Sequence, residues 1–277
     1  MLKYISFLVV LYGRDYSESV AITTILAAFD SMRAKGYSPK LYVWNNSPEL
    51  SRTLSRSDVV WLDGQNRSLS VVYNTVAKVA FEEGAEFLML SDDDTDYASF
   101  DFISSLRCID DVSSEKDGAL ACFIPRIFSN DKLVSPGKRF LFKGSLLDNV
   151  ETGKVSSKNL LAINSGTFIT RACYERMSPL YDERLNFYGT DTDFFVRYER
   201  CFEEIFVLDS PLRHSLSSDT NESLGRALFR WKDHIYATNI TFSDRSFGFR
   251  LGLAFYCMYL KFKLAIRYRS IRFVLDV

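Results

Sequence analysis

The apolar residues of this chain fall in alternating patterns. Tyr4 to Leu11 is an unbroken apolar run that reads as a central strand, and Ile22, Ile25, Leu26, Phe29 and Met32 follow at helical spacing before Gly36. Strands are predicted at Lys40 to Trp44 and Val59 to Leu62. A helix from about Ser70, with Val72, Val76, Val79 and Ala80 on one side, ends at Gly84 and is followed by the apolar strand Phe87 to Leu90. Strands and helices alternating at this size predict an α/β protein, a mostly parallel sheet covered on both faces. From about Asn130 to Asn159 the pattern weakens into a polar stretch, then Leu160 to Ile169 again reads as strand. A helix from about Thr192 to Arg200 and a short strand at Ile205 to Leu208 complete the body. Ligands of such sheets bind beyond the carboxyl ends of the strands, so the loops after Leu11, Trp44, Leu62 and Leu90 are expected around one crevice.

Composition agrees with a large core, since 47% of the 277 residues are hydrophobic and 15% aromatic. No Pro-, Gly- or Ser-rich linker, repeat or low-complexity segment divides it. Five widely spaced cysteines, Cys108, Cys122, Cys173, Cys201 and Cys257, form no CxxC pair or zinc-type spacing, which predicts reduced thiols. The opening run lacks a small-residue cleavage site and suits a buried strand, so a cytoplasmic location is expected.

Charge changes the picture at one end. The formal net charge is only −1, but seven bases and no acid lie between Asp244 and Asp276, which leaves 27 bases against 34 acids before that point. Such asymmetry suggests a nucleic-acid or membrane surface under residues 245–277. The nearly uncharged segment from Phe247 to Leu260 is short of the about 20 apolar residues a membrane span needs. Its mix of Tyr, Phe, Lys and Arg suits the headgroup region instead, so the expected partner is an anionic membrane surface and not nucleic acid. An ordinary helix that packs its apolar side on the body of the protein and turns its bases to water is the alternative.

Two segments carry chemistry. Ser91-Asp92-Asp93-Asp94-Thr95 places three consecutive carboxylates just after an apolar strand. Half-buried acids so close repel one another unless a cation neutralises them, and hard divalent ions prefer such oxygen ligands. An ordinary acidic turn is the plain alternative. Tyr188-Gly189-Thr190-Asp191-Thr192-Asp193-Phe194 leads into a helix, where one Asp caps free N–H groups and the other is available as a general base.

Together these segments resemble the family 2 glycosyltransferases of the GT-A fold, especially the branch with rhamnosyltransferases and galactofuranosyltransferases, from about Ile5 to about Ser217. Ile5 to Arg14 is similar to that family's first strand and nucleotide-contacting loop, which implies donor roles for Tyr12 and Arg14. Val43-Trp44-Asn45-Asn46-Ser47-Pro48 is similar to its Asp-Asn-x-Ser turn at the nucleotide base, with Asn45 where Asp is common. Asn66 to Asn74 resembles its Asn-x-Gly run, with Ser68 for Gly, and implies donor contacts from Asn66 and Asn74. The strand ending in Asp92-Asp93-Asp94 resembles its Asp-x-Asp motif: the resemblance assigns Asp92 and Asp94 to Mn²⁺ or Mg²⁺, and Asp92 and Asp93 to the donor. Asn164-Ser165-Gly166 is similar to its Ser-Gly segment lining the sugars. Gly189 to Phe194 resembles its Gly-Glu-Asp-x-Asp-Leu motif with Thr190 for Glu, so Asp191 maps to the catalytic base and Asp193 becomes the cap. Leu212-Arg213-His214-Ser215 resembles its His-Ser segment, which implies His214 as a further metal ligand.

The resemblance implies a GT-A catalytic domain over 1–244, with a nucleotide half at about 1–97 and an acceptor half at about 98–244, and a basic aromatic tail at 245–277. It implies inverting transfer of a sugar from a UDP- or dTDP-sugar to a hydroxyl of a surface polysaccharide or lipid-linked glycan. Two other readings stand beside it. One is a non-catalytic nucleotide-sugar or glycan-binding protein of the same fold. The other, a sugar nucleotidyltransferase, normally has a Gly-rich phosphate loop, where Leu11 to Asp15 has a single Gly.

Overall fold

The computed structural model describes residues 2–113, 120–213 and 223–277. In chain order the first half is β1 (Lys3–Leu11), α1 (Val20–Arg33), β2 (Tyr37–Asn45), β3 (Val59–Asp63), α2 (Leu69–Glu82), β4 (Phe87–Asp92) and α3 (Phe102–Ser113). Then come β5 (Cys122–Ser129), β6 (Lys132–Ser135), β7 (Gly137–Phe140), β8 (Lys143–Leu146), β9 (Gly153–Ser156), β10 (Leu160–Leu161) and β11 (Phe168–Thr170). The chain continues through α4 (Arg171–Met177), α5 (Thr190–Cys201), β12 (Glu204–Arg213), α6 (Leu224–Thr241), α7 (Phe247–Arg267) and α8 (Arg272–Leu275).

Among the described residues the main sheet runs β3-β2-β1-β4-β11-β5-β12-β9, with β6 on β5, and β10-β7-β8 form a small second sheet. β1 pairs in parallel with β2 and β4, and β12 with β5, while β11 lies antiparallel between β4 and β5. The mostly parallel α/β sheet predicted from the apolar pattern is what forms.

Alternation along β1 explains why its run is continuous. Ile5, Phe7, Val9 and Leu11 pack on one face against Ile22, Ile25 and Phe29 of α1 and Phe102 and Leu106 of α3. Leu8 and Val10 pack on the other face with Val72 and Val76 of α2 and Phe194 and Tyr198 of α5. A strand covered on both faces has no polar positions to show, and each such side chain contributes about 1.5–3 kcal/mol by burial.

Three sequence expectations change. The polar stretch 130–159 contains β6 to β9, strands of four residues each, too short to display a period. The single strand expected from Leu160 to Ile169 is broken into β10 and β11 by a turn in which Thr167 N donates to the Asn164 carbonyl at 2.9 Å. The last body strand extends past Leu208 to Arg213, with a register shift between Val207 and Pro211. No helix among the described residues is long and apolar enough to cross a membrane.

Candidate functional site

The acidic run sits where β4 ends. β1 and β4 are in register as Val10 with Asp92, so the loop after Leu11 emerges beside the carboxylates. There Tyr12 N donates to Asp93 Oδ2 at 3.4 Å and Arg14 Nε lies 3.3 Å from the same oxygen. Burial pushes the Asp93 carboxyl up to about 6 despite the pull of Arg14. Tyr12, Arg14, Asn66, Asp92, Asp93 and Asp94 line one cleft of about 820 Å³, together with Asn46 and Arg67.

The turn between β10 and β11 joins this acidic loop to the start of α5. Ser165 Oγ donates to Asp92 Oδ2 at 2.7 Å and accepts from Asp92 N at 3.1 Å. Its neighbour Asn164 donates through Nδ2 to Asp191 Oδ1 at 2.7 Å, and Tyr181 Oη donates back to Asn164 Oδ1 at 2.9 Å. Two consecutive side chains thereby hold the two carboxylates. Gly166 allows the turn to close, because a Cβ there would lie 2.8 Å from Pro125 Cγ.

Asp191 is half-buried in the first turn of α5 and lines a second cavity of about 290 Å³, with Leu146 and Ile163 nearby. Burial first, and the charge of Asp92 second, push its carboxyl up to about 7. Gly189 makes the helix start there. Its φ is +81°, and a Cβ would lie 2.6 Å from Ala237 Cβ on α6. Gly189→Ala should cost about 1–3 kcal/mol in urea denaturation, from left-handed strain plus a backbone shift at that contact. Gly84→Ala, at φ +95° with open space around it, isolates the strain alone. Equal losses in the two variants would show that the α5–α6 contact contributes nothing.

No protein-family model matches the chain, and no curated protein sequence does. Solved structures do match. The chain is similar to GalNAc-T7, whose crystal structure contains UDP, GalNAc and Mn²⁺, with a TM-score of 0.62 at 13% identity over 94% of this chain. It spans about half of that protein, 51% of its length. The fold is GT-A.

On this GT-A frame not every residue singled out from the sequence reaches the cleft. Asn45 is fully buried, donating to Asp63 Oδ1 at 2.9 Å and accepting from Ser47 N at 3.0 Å, and the next residue, Asn46, lines the cleft in its place. Asn74 turns away from the cleft, bonding the backbone N–H and carbonyl of Tyr181, both at 2.9 Å. Asp193 is not the helix cap. It lies on the fourth helical residue, buried, with one oxygen 3.8 Å from Arg197, and burial raises its carboxyl. His214 lies outside the described residues.

Of the other cleft groups, Tyr188 was read only as the lead-in to the Gly189–Phe194 run, and Phe187, Arg226 and Phe229 had no readable signal. Phe187 and Tyr188 line it from the segment before α5, and Arg226 and Phe229 reach it from α6. Asp233 of α6 accepts from the backbone N–H groups of Phe187 at 3.2 Å and Tyr188 at 2.8 Å, fixing that segment. The link spans 45 residues of sequence, so no local pattern records it.

Among the described residues no three His, Cys, Asp or Glu side chains converge as a ready metal cage. Asp92 and Asp94 nevertheless suit Mg²⁺ or Mn²⁺, which bind through one or two carboxylates and take the remaining ligands from water and substrate phosphates. Arg14, Arg67 and Arg226 around the same cleft complement the charge of a diphosphate.

Proposed function

We propose that this protein is a metal-dependent, inverting glycosyltransferase that moves a sugar from a nucleotide diphosphate, UDP or dTDP, to a hydroxyl of a surface polysaccharide or lipid-linked glycan. The observation that carries the reading is the Asn164–Ser165 pair, which ties Asp92 of the large cleft to Asp191 of the second cavity. The donor occupies the large cleft and the acceptor hydroxyl approaches from the second. The similar structure contains UDP and Mn²⁺, which supports a nucleotide diphosphate donor and a divalent ion, and such an ion on Asp92 and Asp94 would offset charge on the leaving diphosphate.

In this reading the acceptor oxygen attacks the anomeric carbon from the face opposite the diphosphate, and the bond from that carbon to the diphosphate oxygen breaks. The hydroxyl proton passes to Asp191. Asn164 Nδ2 already occupies Oδ1, so Oδ2 receives the proton. Holding donor and acceptor in line supplies much of the remaining acceleration. The first 97 residues or so serve mainly the donor, whose cleft also takes Phe187, Tyr188, Arg226 and Phe229 from further along the chain, and the rest of 98–244 serves the acceptor.

Melting curves across UDP-, dTDP- and GDP-sugars, each with and without Mn²⁺, test the reading. One donor should raise the melting temperature only when Mn²⁺ is present, because it binds the native state alone. No shift with any donor, together with no Mn²⁺-stimulated donor hydrolysis, would sink it.

A further inference from the structure

α7 leaves an apolar stripe uncovered. Its inward side buries Leu253, Cys257 and Leu264 against α6 and α8. Away from that side lie Phe247, Leu251, Phe255, Met258, Phe262 and Ile266, at intervals of three and four residues that place them on one face of a helix. All six are exposed, from 47% at Leu251 to 81% at Phe247. Leu275 on α8 and Ile271 just before that helix are exposed as well.

The charges around the stripe are of one sign. From Ser246 to Leu275 there are six bases and no acid. At 100° per residue Arg250 and Lys261 border the stripe on one side and Lys263 on the other. A second copy of the chain docked here would bring like charges together, whereas anionic lipid satisfies both the bases and the apolar face. The helix does not meet the requirement for a span.

We propose that α7 docks this protein in the plane of an anionic bilayer, with the stripe at the acyl boundary and the flanking bases on lipid phosphates. The β7–β8 hairpin couples that surface to the site. Its Phe142 ring packs on Phe249 and Tyr256 of α7, at 5.8 and 4.7 Å between centroids, and the same hairpin lends Gly144, Ser145 and Leu146 to the cavity beside Asp191. Resting on the transferase reading, this favours an acceptor that is lipid-linked over one that is free in solution. The docking itself does not depend on that reading.

Flotation of the full-length protein with vesicles of phosphatidylcholine alone, or mixed with phosphatidylglycerol, is the test. The protein should float with the anionic vesicles at low salt and less at high salt. Phe255→Ser/Phe262→Ser should lower flotation at least about tenfold, and so should Lys261→Glu/Lys263→Glu, which spares the apolar face and covers any folding defect of the first variant. Both should keep the parent's melting temperature and its shift with donor and Mn²⁺. A parent that stays at the bottom of the gradient with anionic vesicles at low salt overturns the proposal, as does flotation that both variants retain. Concentration-dependent dimers dispersed by Phe255→Ser/Phe262→Ser, without flotation, would assign the face to a second copy. A protein that floats but binds no nucleotide-sugar would support the docking and remove the transferase reading alone.

Discussion

Asp191→Asn should lower kcat by about 10²–10⁴ while donor affinity stays within a few-fold of the parent, the loss expected when a positioned base is removed. The amide keeps the volume of the side chain and an oxygen for Asn164 Nδ2, but it has no carboxylate to take the acceptor proton. The parent's pH profile carries the same signature. Burial and the charge of Asp92 raise the metal-free Asp191 carboxyl to about 7, so turnover should level off above about 7 and fall along an acidic limb below it. A cation bound at Asp92 offsets part of that charge and should move the acidic limb to lower pH. Stability runs the other way. The fold favours the protonated carboxyl, so this contribution is complete below the ordinary Asp range and is lost as pH rises through about 7. At pH 8 Asp191→Asn should therefore melt no lower than the parent. A kcat within a few-fold of the parent, or an acidic limb that survives the substitution unchanged, would remove Asp191 from the role of base.

Asp94→Ala should abolish the Mn²⁺-dependent part of donor binding, which calorimetry reads as loss of coupling between metal and nucleotide-sugar. Asp94 lines the cleft at the loop after β4, beside the Asp92 carboxylate that Ser165 orients. Removing one of the two carboxylates leaves a neutral water in its place, which offsets none of the cation's charge and holds it less tightly. The variant should still fold, since Asp94 is half-exposed and outside both main cores. Metal and donor binding as tightly coupled as in the parent would place the cation elsewhere.

Much of the GT-A frame was legible because its core strands are buried on both faces. β1 and β4 lie close to where their apolar runs placed them, since a strand buried on both faces leaves a continuous apolar run, while α2 follows its one-sided helical spacing and β3, half-buried at the edge of the sheet, follows its short apolar run. The acidic loop was legible for a related reason, as three carboxylates directly after a buried strand are costly in an ordinary turn. Asn45 and Asn74 were placed in the cleft by motif position alone. An asparagine side chain bonds equally well to a ligand, to Asp63, or to the backbone of Tyr181, and the pattern around it does not say which.

By itself the sequence determined the α/β alternation, the carboxylates of Asp92 to Asp94 and Asp191, and a basic, aromatic C-terminal segment, because each depends on local spacing. Only the tertiary structure decided the contacts across long separations. The Asn164–Ser165 turn links Asp92 to Asp191 across nearly 100 positions, and Asp233 fixes the segment before α5. It also decided which side of α7 faces outward. In the sequence that helix is apolar on several sides, and it is the packing of Leu253, Cys257 and Leu264 on α6 and α8 that leaves the Phe247-to-Ile266 stripe exposed. Helical spacing tells which residues share a face, and only the position of the neighbouring helices tells which face is left over.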